Sequence, residues 1–306
     1  MATSVKTVKR RIRSAKNIKQ ITKAMEMVSA SKMRRAQEKA LTTRPYSQKI
    51  REILSDLSGQ VDTKRHPMLR QPKSEKGVVG VVIASSDRGL CGALNTNLFR
   101  SLEEFKTMLN RERPEEILDF EFITVGKKAR EYVLQTGQML HAEFTNFPER
   151  PHFDDVLPIA RLAIDGFMSG KFREIFLLYT AFITTLQQEV NYYRLLPIET
   201  RKISSSGHEL PKKPYREYIF EPGVEEVIDA LLPHYIEIQV FQTILEALAS
   251  EHSARMVSMR NASDNASEII TDLTLLHNKQ RQQAITNEIS DLITSRMAVT
   301  KEEQNE

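Results

Sequence analysis

The chain has 306 residues, 40% of them hydrophobic, with one cysteine and no tryptophan. A lone cysteine excludes an internal disulfide framework and favours a reducing compartment, and no apolar run approaches the ~20 residues that span a bilayer. The net charge of +4 conceals a split, because residues 1–65 carry 17 Lys/Arg against 5 Asp/Glu (+12) and residues 224–306 carry 6 against 14 (−8).

Ends of opposite charge imply mutual attraction, or a basic arm for an acidic partner. The start, "MATSVKTVKRRIRSAK", is basic but has no apolar run behind it, so it does not read as a secretory signal. Its periodicity continues past residue 40, which disfavours a transit peptide. Residues 2–44 contain neither Gly nor Pro. Apolar positions Val5, Val8, Ile12, Ala15, Ile18, Ile21, Met25, Val28, Met33, Ala36 and Ala40 have a mean spacing of 3.5. That is the coiled-coil period, and it predicts a helix over residues 1–60. The seam is rich in Ala and Met, so it permits close approach and adaptable packing.

The middle changes character. "GVVGVVIAS" (77–85), "FEFITVG" (120–126), "EIFLLYTAF" (174–182) and "EVNYYRLLPI" (189–198) read as strands, with helices near 94–112, 127–136 and 154–170. Strands alternating with helices predict a largely parallel, Rossmann-like α/β domain over residues 75–203. Residues 204–223, opening with "SSSGHELPKK", form a polar connector. After Pro233 neither Gly nor Pro recurs, and Met259, Ala262, Ala266, Ile269, Leu273 and Leu276 step by three and four. A second helix over 224–299 would measure roughly 110 Å at ~1.5 Å per residue, too long for a compact domain. "TKEEQNE" (300–306) reads as a frayed acidic tail. The predicted fold class is α/β: a long antiparallel coiled coil of the N- and C-terminal helices with an inserted Rossmann-like domain.

One stretch looks like a site. "SDRGLCGALN" (86–95) follows the first strand and opens a helix, where α/β proteins bind phosphates or place a nucleophile. It lacks the Lys and the spacing of a Walker loop and the third Gly of a dinucleotide fingerprint. Cys91 would need a histidine base, and the histidines at 66, 141, 152, 208, 234, 252 and 277 form no paired motif. The reading is a small buried cysteine in a turn whose glycines take positive φ, with Asp87 and Arg88 as a local pair or cap. No metal-ligand spacing occurs, and "FDD" (153–155) reads as a helix N-cap. Basic residues 6–23 could follow a phosphate backbone, but they lack aromatic residues for stacking, so no nucleic acid is expected. "EHSARMVSMRNASDNASEI" (251–269) places Arg255, Arg260, Asn261, Asp264 and Asn265 in mid-helix, against helix propensity. A surface read by something outside the helix pair would account for them.

Four blocks, "NIKQITKAMEMVSASKMRRAQ" (17–37), "SDRGLCGALN", "EHSARMVSMRNASDNA" (251–266) and "NKQRQQAITNEI" (278–289), resemble the gamma subunit of the rotary F-type ATP synthase. The resemblance implies a non-catalytic central shaft that couples proton flow to conformational change at catalytic beta subunits. It implies no cofactor and no metal. Its partners would be the alpha and beta subunits, the epsilon subunit and the c-ring. Membrane association would come only through the complex, at the cytoplasmic side of a bacterial inner membrane. Carried over residue by residue, Lys23, Met25, Arg34, Arg255, Gln282 and Thr286 would be bearing or catch contacts with the ring. There are departures: Ala93 replaces a usual third Gly, "DLITSRMAV" (291–299) lacks the usual Gly-Ala ending, and the chloroplast type's regulatory cysteine pair is absent. The alternative from another class is an α/β enzyme carried on a coiled-coil arm.

Overall fold

The computed structural model describes residues 5–57, 66–70, 76–114, 117–198, 221 and 223–303. Helix α1 spans Val5–Leu57 and runs through Pro45. Then come β1 (Lys76–Ala84), α2 (Leu94–Glu112), β2 (Ile117–Val125), α3 (Lys127–Gln135), β3 (Met139–Phe144), α4 (Leu157–Met168), β4 (Phe172–Phe182) and β5 (Gln188–Leu196). Helix α5 spans Val224–Glu303 and runs through Pro233. It is helical to Glu303, within the acidic tail, whose last three residues lie outside the described residues. The connector segment 204–213 lies outside the described residues.

The chain divides into two compact units. One joins the described residues up to Val28 with those from Ser258 onward. Helix α1 leaves that unit at Val28 and α5 enters it at Ser258, so the two run antiparallel. The buried stripe of α1 is narrower than the predicted seam. Val8, Ala15 and Thr22 are buried seven residues apart, whereas Ile18, Ile21 and Val28 are each more than half exposed. Small side chains line the contact because they let two backbones approach, and the larger apolar residues are displaced outward. On α5 the small Ser263 and Ala266 are buried together with the larger Met259, and Ile269 and Leu276 are exposed.

The other unit spans Ser29–Val257 and contains the sheet, in the order β3-β2-β1-β4-β5. The first four strands are parallel and β5 returns antiparallel to β4. Strand β3, which the sequence reading missed, is an edge strand of mixed polarity, with Met139 and Glu143 exposed. Such a strand shows no apolar run. Alternation along β1 sends Val79, Val81 and Ile83 to one face, against Leu98, Leu102 and Phe105 of α2 and Val133 of α3. The other face carries Val82, Ile175 and Leu177 and packs on Ile159 and Ala163 of α4. The same core takes in Ile50 and Leu54 of α1 and Ile236, Val240 and Phe241 of α5. Each fully buried large side chain is worth ~1.5–3 kcal/mol. The second half of α1 and the first half of α5 therefore serve as a layer of the α/β sandwich.

Candidate functional site

In doubly wound sheets ligands bind outside the carboxyl ends of the strands, where the strand order reverses. Here that point lies between β1 and β4, flanked by the turn after β1 and the turn 183–187 after β4. The chain fills it with its own helix. Ser253 Oγ of α5 donates to Thr185 O at 2.7 Å. Arg255 Nη2 donates to Arg88 O at 3.1 Å and Gly89 O at 3.2 Å, and its Nε donates to Gly89 O at 3.3 Å. Its Nη1 pairs with Glu251 Oε1 at 2.7 Å. Arg255 is only 8% exposed. Burial pushes the Glu251 carboxyl above its usual range, against the pull of Arg255.

The second place for an anion, the amino end of α3, is also taken. Asp87 Oδ1 accepts from Lys127 N at 2.9 Å and from Asn146 N at 3.3 Å, and Ser85 Oγ accepts from Ala129 N at 2.8 Å. A carboxylate of the chain thus meets the positive end of the helix dipole, where a phosphate would bind in a nucleotide fold. Asp87 is a cap, as expected, but of α3 rather than of the helix its own turn opens.

Within the turn, Asn95 Nδ2 donates to Ser86 Oγ at 2.8 Å and to Cys91 Sγ at 3.5 Å. Gly92 has φ 60°, as expected, but the other left-handed residue is Leu90 (φ 61°) and not Gly89. Leu90 is 62% exposed and carries the local cost of that conformation, ~1–2 kcal/mol from Cβ crowding its own backbone. Cys91 is 2% exposed, and burial pushes its thiol pKa up. No histidine is hydrogen-bonded to it among the described residues. We expect native Cys91 to resist alkylation at pH ~7.5 and to react once the chain is unfolded. Equal reactivity of the folded and unfolded chains would show that the thiol is open to solvent.

The residues carried over as ring contacts fall into two groups. Lys23 and Arg34 are exposed and Met25 is half-buried on α1, with Lys23 Nζ 2.9 Å from Glu26. Gln282 and Thr286 are exposed on α5, one turn apart, and Thr286 Oγ1 donates to Gln282 O at 2.9 Å. From Arg281 through Thr294 every residue of α5 is exposed. Ile285, Ile289, Leu292 and Ile293 form an apolar stripe there. Arg255 stands apart, because its guanidinium is engaged inside the sheet-bearing unit. Sequence reasoning missed Ser253 and Glu251, which carry no motif and become visible only when the loops they hold are placed.

A family model described as ATP synthase matches residues 4–299. An ATP synthase gamma chain from Roseiflexus castenholzii is 44% identical over 299 residues, covering 97% of this chain and 99% of that one. The chain belongs to the ATP synthase gamma chain family. The gamma chain of Chloroflexus aurantiacus is 43% identical with the same coverage. Among solved structures, a central stalk and c-ring chain of Tetrahymena thermophila mitochondrial ATP synthase aligns with a TM-score of 0.57 at 27% identity, over 79% of this chain and 99% of that one. A chain of the Euglena gracilis mitochondrial ATP synthase, from its OSCP/F1/c-ring structure, aligns with a TM-score of 0.64 over 96% of this chain and 94% of that one. At 18% identity it attests the fold alone. As a gamma chain, the molecule is a component of ATP synthase, and the reading of a free-standing enzyme on a coiled-coil arm loses its basis. Among its described residues, no helix is long and apolar enough to cross a membrane.

Proposed function

We propose that this gamma chain is the central rotating shaft of an F-type ATP synthase. It turns inside a ring of alpha and beta subunits and couples proton flow through a c-ring to conformational change at the catalytic beta sites. It is itself non-catalytic, also contacts an epsilon subunit, and lies at the cytoplasmic side of a bacterial inner membrane. The observation that carries this reading is the exposed end of α5. A lone helix segment with Ile285, Ile289, Leu292 and Ile293 in solvent gains nothing from packing, and isolated helices of ~12–15 residues are marginal in water. A sleeve around the shaft tip supplies the missing burial. Gln282 and Thr286 lie on this segment, and Lys23, Met25 and Arg34 present α1 to the same sleeve. Arg255 supports the shaft from within.

Co-expression with alpha and beta subunits should yield a stoichiometric complex with ATPase activity. In that complex Ile289→Asp should reduce assembly yield, and Gln282→Ala should lower turnover severalfold without loss of assembly. A chain that purifies alone in the presence of alpha and beta subunits would refute the shaft reading.

A further inference from the structure

The filled crevice has a mechanical consequence. Apolar burial is non-directional, so the core between the sheet and α5 holds the helix on the sheet without by itself singling out one register. Hydrogen bonds are directional and resist sliding. Those ties gather at the carboxyl edge of the parallel strands. Arg255 and Ser253 of α5 hold the turns after β1 and β4. On α1, Lys32 pairs with Glu149, and Lys39 Nζ donates to Pro151 O at 2.6 Å, both in the segment that follows β3. Asp87 then joins the β1 turn to the amides of Lys127 and Asn146, so the loops behave as one rim. Both helices are gripped close to where each leaves this unit: Lys32 lies four residues after Val28, and Arg255 two residues before Val257. Glu251 is half-buried beside Arg255, which keeps the guanidinium oriented with its charge matched.

We propose that Arg255, with Glu251 and Ser253, is a torque latch that locks α5 to the carboxyl edge of the sheet so that sheet and helix turn as one body. The proposal rests on the shaft reading. Torque delivered to the α/β layer passes into the helix through the Arg88 and Gly89 carbonyls. Without the latch the helix slips against the sheet, and ATP hydrolysis runs on with fewer protons moved. Arg255 is here a positioning residue and touches no reacting group.

The test uses the complete enzyme in inverted membrane vesicles, with ATP hydrolysis and ATP-driven proton pumping measured side by side. Arg255→Ala should keep hydrolysis within about threefold and cut pumping per ATP hydrolysed at least fivefold. Arg255→Lys, which can still reach one carbonyl, should restore half or more of that ratio. Cys91 reports on the turn directly: its labelling by a maleimide should rise at least tenfold in Arg255→Ala and return towards wild type in Arg255→Lys. Should Arg255→Ala fail to assemble, Glu251→Gln and Ser253→Ala carry the same expectation at about twofold to threefold. Loss of coupling with Cys91 still shielded would make Arg255 a ring contact and overturn the latch. Exposed Cys91 with unchanged coupling would leave a tie without a mechanical role, which also overturns it. A wild-type complex lacking coupled pumping would overturn the shaft reading as well, and is distinguished by needing no variant.

Discussion

Gly126→Val should fail to accumulate as folded protein, and Gly126→Ala should lose on the order of 3–5 kcal/mol in denaturant unfolding. Gly126 joins β2 to α3 with φ 96° and ψ 146°, a region that side chains rarely enter. The backbone strain alone costs ~1–3 kcal/mol. A Cβ there would also drive into the backbone of Ser85, meeting its Oγ at 2.8 Å and its carbonyl carbon at 2.9 Å. Ser85 cannot move aside. Its N–H donates to Val125 O at 2.8 Å, and its Oγ caps α3 through Ala129 N. Displacing it unmakes the rim that receives Arg255. The internal control is Gly89, where a Cβ meets nothing within 4 Å and φ lies outside the left-handed range. Gly89→Ala should change stability by less than ~0.5 kcal/mol. Equal effects at the two glycines would refute this account.

The second large effect is a dependence on pH. His252 is 5% exposed, and neither ring nitrogen has a hydrogen-bond partner among the described residues. Burial, then Arg255 and Lys32, push its pKa down from 6.5 to about 4, and Glu149 opposes only weakly. The unfolded chain binds a proton below pH 6.5 while the folded chain stays neutral to about pH 4. Stability therefore falls as pH drops through that window. Between pH 7 and pH 5 the loss from this group is about 2 kcal/mol, at ~1.36 kcal/mol per pH unit where the difference is full. Glu251 works in the other direction, since a raised carboxyl pKa favours the folded state as pH falls. Comparison of wild type with His252→Leu isolates the histidine. Urea unfolding at pH 7 and pH 5 should show a steeper loss for wild type by about 2 kcal/mol. Identical losses in both chains would mean that His252 is solvated.

Much of the architecture was legible in the sequence because periodicity and breakers are local. Residues 2–44 without Gly or Pro, and the run beyond Pro233, read as long helices, and the four apolar runs of the middle read as strands. The family resemblance was legible for the same reason, since it rests on contiguous blocks. The edge strand β3 was not, because its residues alternate weakly and its pairing with β2 comes from another part of the chain. The seam of α1 was legible only in part: apolar spacing found Val8 and Ala15 but also pointed to Ile18, Ile21 and Val28, which are exposed, and missed the buried Thr22.

The role of Arg255 shows where sequence stops. Its block marks it as special, and its mid-helix setting suggested an outward-facing charge. The tertiary structure turns it inward, because α5 crosses the crevice between β1 and β4 and brings the guanidinium within reach of Gly89 O and of Arg88 O, which also accepts from Ser86 Oγ. A buried polar group takes whatever partner the fold brings within reach. Which partner that is depends on how segments 166 residues apart are packed, and no local pattern encodes it. The long helices and the alternation of strands are properties of the sequence by itself, whereas the filling of a ligand crevice by the protein's own shaft helix is decided only by the packing.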